Sequence, residues 1–137
     1  MVPKKINFKA IEKNSSGIFL DRAESFYKAM RTEYELENWH AAGLSAVHCV
    51  ISANDALLVK TNGIYCTAKD HLLAVEALTQ HFTKAGVKEA SNHLRKVIAL
   101  KNVIEYEAKV FTQKQAETVV FHAEKFYKWI LEQLKNQ

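Results

Sequence analysis

Proline and glycine are scarce in this chain of 137 residues: Pro3 stands alone, and Gly17, Gly43, Gly63 and Gly86 are the four glycines. So few breakers exclude collagen-like and turn-rich architectures and leave room for long helices. Cysteine is equally sparse. Cys49 lies in an apolar helical stretch and Cys66 in an expected loop, without the spacing of a metal pair or a disulfide framework. No uninterrupted apolar run approaches membrane-spanning length, and MVPKKINFKAIEKNSSG lacks the apolar centre of a signal peptide. The expectation is a soluble, cytoplasmic protein with no membrane association.

The signatures of several chemistries are missing too. There is no HExxH, no CxxC pair, no Gly-rich phosphate loop and no GxSxG elbow. Nothing calls for a metal or another cofactor, so an enzyme built on this chain must work with bare side chains. A net charge of +4 permits an anionic partner without requiring one. Part of that charge sits at Lys4, Lys5, Lys9 and Lys13. Residues 1–17 therefore read as a basic tail, either a phosphate-seeking arm or a solvated terminus, ahead of a single domain over 18–137.

Apolar residues recur at intervals of three and four along most of the chain, so an all-α bundle of about five helices is expected. The first runs from about Ile18 to Leu36, with Ser15 or Ser16 as cap. The second starts at Asn38, is apolar nearly all round, and stops at Asn62-Gly63, which places it at the centre. Thr67 and Asp70 have the spacing of a capping box for the third, which ends before Gly86. The fourth spans Lys88 to Lys109 and the fifth Gln113 to Leu134. No segment reads as a strand, and short connections favour an antiparallel up-and-down arrangement.

Two polar features interrupt the apolar faces. Ser45, His48, Ser52 and Asp55 form a seam along the central helix, and His71 shares a stripe with Val75, Leu78 and Phe82. Each reads either as a hydrogen-bonded core residue or as part of a cleft, with Asp55 able to approach His71 in space. The stronger anomaly is in LRKVIALKNVIEYEAK. At about 100° per residue, Leu94, Val97, Ile98, Ile104 and Ala108 share a face on which Lys101 is central and Glu105 adjacent. Burying that stripe requires the two charges to meet each other, a further partner, or a cleft. Lys101 can stabilise phosphoryl charge, and Tyr106, a histidine or a carboxylate can exchange a proton with a ribose hydroxyl, so metal-independent RNA cleavage is one reading. A structural Lys101–Glu105 pair is the other.

The order of LDRAESFYKAM, AAGLSAVHCVISANDAL, AKDHLLAVEAL, LKNVIEYE and AEKFYKWILEQL resembles the HEPN domains of prokaryotes, over about Ile18 to Leu134. The resemblance implies a helical bundle that forms a homodimer and binds nucleotide or RNA, in many members as a metal-independent ribonuclease. It further implies a setting in a toxin–antitoxin or related defence system, with a nucleotidyltransferase antitoxin as partner. The family's site has an Arg, a polar neighbour and a His four to six positions on. Here Lys101 stands in place of the Arg, Asn102 matches the polar neighbour, and Tyr106 occupies the nearest His position. The expected site is thus Lys101, Asn102, Glu105 and Tyr106, with Asp55 and His71 as further ligand-binding candidates and Lys101 and Tyr106 as the catalytic pair if any cleavage survives. Binding without efficient catalysis, ribonuclease activity with an altered Lys/Tyr site, and a purely structural interaction module are the three readings.

Overall fold

A computed structural model describes residues 8–67 and 71–137. Among these residues, five helices of ten residues or more build the bundle: α1 (Ser16–Glu35), α2 (Trp39–Asn62), α3 (Leu72–His81), α4 (Val87–Ala99) and α6 (Gln113–Lys135), with the short α5 (Lys101–Glu105) following α4. The all-helical expectation holds. Helix α2 lies at the centre, as its apolar circumference demands: Ala42, Val47, Val50, Leu57, Leu58 and Val59 are all fully buried. It is long and apolar enough to cross a membrane, with mean hydropathy 1.4, but 72% of that stretch is enclosed by the other helices. It is the core rod of the bundle.

Side-chain contacts fix the directions of the helices. Phe26 of α1 stacks on His48 of α2, and Phe19 meets Tyr65 just beyond the other end of α2, so these two helices are antiparallel. Helix α6 opposes α1 through Tyr27–Tyr127 and the Arg31–Glu124 ion pair, and opposes α4 through His93–His122. Alternation is interrupted once. Gly63, in the left-handed conformation that glycine tolerates, ends α2 and turns the chain back on itself. The returning segment carries the chain back to the level of Asp55, so α3 runs alongside α2 in the same direction, with Asn54 donating to the Ala74 carbonyl and Asn62 meeting His81.

That returning segment corrects the expectation of no strands. Residues Ile64–Cys66 form β2, which pairs antiparallel with β1 (Phe8–Ala10) in the register Phe8↔Cys66, Lys9↔Tyr65 and Ala10↔Ile64. Cys66 is therefore a strand residue rather than a loop residue, and residues 8–10 of the basic tail are tied to the bundle. Three-residue strands are too short to show period-two alternation, which is why the pattern is invisible in sequence.

The helix ends follow local chemistry with two departures. Ser15 occupies the cap position of α1 but makes no side-chain cap hydrogen bond, and Asn38 before α2 gives its amide to Glu33 instead. The expected Thr67–Asp70 capping box falls outside the described residues, since Asp70 is not among them. A complete box appears at α6: the Thr112 hydroxyl accepts from the Gln115 amide, and the Gln115 side chain accepts from the Thr112 amide. Thr112→Ala is expected to cost about 1 kcal/mol, measured by urea unfolding.

The fourth helix departs most from expectation. It breaks at Leu100, whose amide reaches the Val97 carbonyl in a tightened turn, and it ends at Glu105 rather than Lys109. The amides of Tyr106 and Glu107 both converge on the Asn102 carbonyl, closing the last turn. Ala108, placed on the apolar stripe by periodicity, is exposed. The cause lies in packing: Ile104 and Phe111 both press on Gly43 of α2, and Phe111 can follow Ile104 onto the same spot only if the helix stops between them.

Candidate functional site

Lys101 opens α5 immediately after the break, and the rotation of one helical turn brings Glu105 beneath it. The Lys101 ammonium donates to Glu105 at 3.0 Å, and the two side chains are 15% and 18% exposed. The ammonium also lies 5.1 Å from the centre of the Tyr106 ring. The hydrogen bond to Glu105 raises the Lys101 pKa above its ordinary value, which burial only partly opposes. Burial pushes the Glu105 carboxyl upward, but the hydrogen bond and charge of Lys101, with help from Tyr106 and His48, leave it below the usual carboxylate range. The pair is therefore ionised around neutral pH.

Around this pair the surface opens. Tyr106 is 73% exposed, Val110 is 85% exposed and Asn102 is exposed. The site thus has a charged, partly buried floor and an aromatic and amide rim. Such a rim can stack a base and donate or accept at its edge, while the ammonium can receive a phosphate oxygen.

The remaining candidates lie elsewhere. Helix α5 docks near Gly43, whereas Asp55 is twelve residues further along α2, about 18 Å at the rise of an α-helix. Asp55 is 7% exposed and accepts the Cys66 amide at 3.1 Å, anchoring β2 to α2. Burial pushes its carboxyl up to about 7 against the pull of that hydrogen bond and of Arg22. His71 stands at the N-cap position of α3 without a side-chain cap hydrogen bond, beside the middle of α2, where its stripe partners Val75, Leu78 and Phe82 are buried. The structure brings Lys101, Glu105, Tyr106 and the neighbouring Asn102 together, and it places Asp55 and His71 on the other half of the bundle.

His48, placed in the polar seam by sequence but not among the expected site residues, belongs with the first group. It sits on α2 one turn and a half beyond Gly43, stacked on Phe26 with ring centres 5.1 Å apart, and it is among the groups that lower the Glu105 carboxyl. Its seam with Ser45 was the available signal, but only the docking of α5 at Gly43 reveals which end of the seam meets Lys101.

No curated protein and no solved structure gives a significant match to this chain. A family model does: the HEPN domain matches residues 17–134, from the start of α1 to the last turn of α6, so it takes in the broken α4–α5 unit and the Lys101 cluster. By that match over nearly the whole fold, the chain belongs to the HEPN domain family.

Proposed function

We propose that this protein is a homodimeric HEPN domain that binds nucleotide or RNA through Lys101, Asn102 and Tyr106 without efficient catalysis. As a HEPN domain it is a helical domain of a nucleotide- and RNA-related family. The observation that carries the finer reading is the Lys101–Glu105–Tyr106 arrangement at the end of the helical stripe. An ammonium already paired with a carboxylate is poised for exchange: a phosphate oxygen displaces Glu105, and the exposed Tyr106 ring receives the base. Its raised pKa keeps Lys101 charged around neutral pH, which suits binding an anion and unsuits it for passing a proton. The partner proposed outside the dimer is a nucleotidyltransferase antitoxin, on the strength of the family resemblance alone.

Lys101→Ala is expected to weaken RNA or nucleotide binding about tenfold and to reduce the salt dependence by about one phosphate contact, read by fluorescence anisotropy over a salt series. Stability should fall by about 1–2 kcal/mol, since Glu105 is left as a partly buried carboxylate without its partner, which still leaves the protein folded for the binding measurement. Parent protein that binds no RNA or nucleotide, or a variant that binds as well as the parent, sinks the proposal.

Two alternatives are separable in the same samples. A ribonuclease using an altered Lys/Tyr site must cleave in the presence of a chelator and lose cleavage in Lys101→Ala. A structural module must show a lowered Tm in that variant with ligand binding untouched.

A further inference from the structure

At the rim of the α4–α6 seam two imidazoles meet through the same ring atom. His93 of α4 and His122 of α6 bring Nδ1 within 2.8 Å of Nδ1, with ring centres 5.1 Å apart and the rings tilted by 39°. Both are half-buried, and each stands at the margin of a buried face. On α4, Ala90 and Val97 are buried to one side of His93, while Glu89 and Lys96 are exposed on the other. On α6, Val119 and Phe126 are buried to one side of His122, while Thr118 and Lys125 are exposed on the other. The pair thus closes the seam where the interior meets water, within reach of solvent protons.

A contact of this kind has room for one hydrogen. At 2.8 Å one Nδ1 must carry N–H and donate, and the other must offer its lone pair. Two neutral imidazoles satisfy that with opposite tautomers. A first added proton can enter at Nε2 of the donor and leave the contact intact, because an imidazolium still donates from Nδ1 to a neutral ring. A second has only the accepting Nδ1 to enter. There it removes the lone pair, sets N–H against N–H and places two cations side by side. Among the described residues, the charged groups that bear on the pair are Glu89 and Lys96 of α4 and Lys125 of α6, the last held over the Phe121 ring at 5.6 Å. One carboxylate against two ammonium groups does not offset a doubly charged pair. Burial holds both histidines below their ordinary 6.5, helped at His122 by His93 and Lys96, and at His93 by Lys96 and Lys125 against the pull of Glu89.

We propose that the His93–His122 contact is a proton-operated latch between α4 and α6: it holds the helices together while the pair carries at most one positive charge, and a second proton releases the seam at this rim. Released imidazoles take up protons more readily than latched ones, so the latch is closed above about pH 6.5 and opens as pH falls below it. Opening from the singly charged state takes up one further proton, so the open fraction should rise by up to about tenfold per pH unit. Acidification therefore loosens α4, the helix that leads directly into α5 at Leu100. The latch does not rest on Lys101 binding a ligand.

Hydrogen–deuterium exchange on the full chain, corrected for the pH dependence of chemical exchange, reads the opening helix by helix. Between about pH 7 and about pH 5, amides of α4 around His93 and of α6 around His122 should lose about tenfold in protection, while those in the middle of α2 lose less than about twofold. His93→Asn and His122→Asn each keep a polar group at the contact but cannot place a second charge there. Each variant should hold its α4 and α6 protection within about twofold over the same range. Imidazole NMR titration of the parent needs no variant: His93 and His122 should titrate in two separate steps, both below their ordinary 6.5. The Asp55 carboxyl also titrates in this interval, but it holds the Cys66 amide and is common to all three proteins. Unchanged protection in the parent at the lower pH, an equal loss in α2, a loss that persists in both variants, or two histidines that titrate independently each overturns the proposal.

Discussion

Replacing Gly43 by leucine is expected to lower stability by about 3 kcal/mol, the upper part of the usual range for overpacking, and Tm by roughly 10 °C. A Cβ at this position would lie 2.6 Å from Phe111 Cε2 and 3.2 Å from Ile104 Cδ1, and both of those side chains are buried. Alanine tests the first step of the same clash. Its better helix propensity, worth up to about 1 kcal/mol, opposes the crowding, so Gly43→Ala should move stability little. Leucine has no such compensation and must push Phe111 out of its seat. Because Phe111 and Ile104 together hold α5 on α2, the displacement should also loosen Lys101 and its neighbours, read as faster proteolysis within residues 106–110. Gly17→Ala is the control, since nothing lies within 4 Å of its would-be Cβ. Equal Tm values for Gly43→Leu and the parent would show that α5 is not seated as described.

Gly43 also marks where sequence reading stops. Helix α2 was legible end to end, because its apolar circumference and the Asn62-Gly63 stop are local signals and both were realised. The charges of Lys101 and Glu105 on an apolar stripe called for each other, a further partner or a cleft, and of these they take each other, at 3.0 Å. What periodicity could not show was that the stripe is not one helix. Lys101 to Lys109 has helical spacing, yet the demand that both Ile104 and Phe111 pack against one glycine ends α5 at Glu105. A tertiary contact overrode local propensity there. The same limit applies to His93 and His122, which show no shared spacing with other ligands in sequence and come within 2.8 Å only because α4 and α6 run antiparallel.

Asp55 shows how a residue that looked functional in sequence acquires a different physical role. Its carboxyl is pushed up to about 7 from an ordinary 3.8, first by burial, with the Cys66 amide and Arg22 pulling the other way. An acid whose pKa is higher folded than unfolded binds more protons in the native state across the interval between the two values. Its contribution is therefore fully present below about pH 4, falls as pH rises towards 7, and stays lost above that. A gap of this width corresponds to a penalty of roughly 4 kcal/mol at pH 8. Asparagine has the same shape, keeps an oxygen for the Cys66 amide and carries no charge to bury. Asp55→Asn is thus expected to be more stable than the parent by roughly 2–4 kcal/mol at pH 8, and within about 1 kcal/mol of it near pH 4. Urea unfolding of both proteins across that range measures the difference directly, because titrations common to the two chains cancel. A difference that stays flat with pH would mean the carboxylate is solvated in the folded protein. Loss of stability at pH 8 would mean its ionic attraction to Arg22 outweighs the cost of burying it.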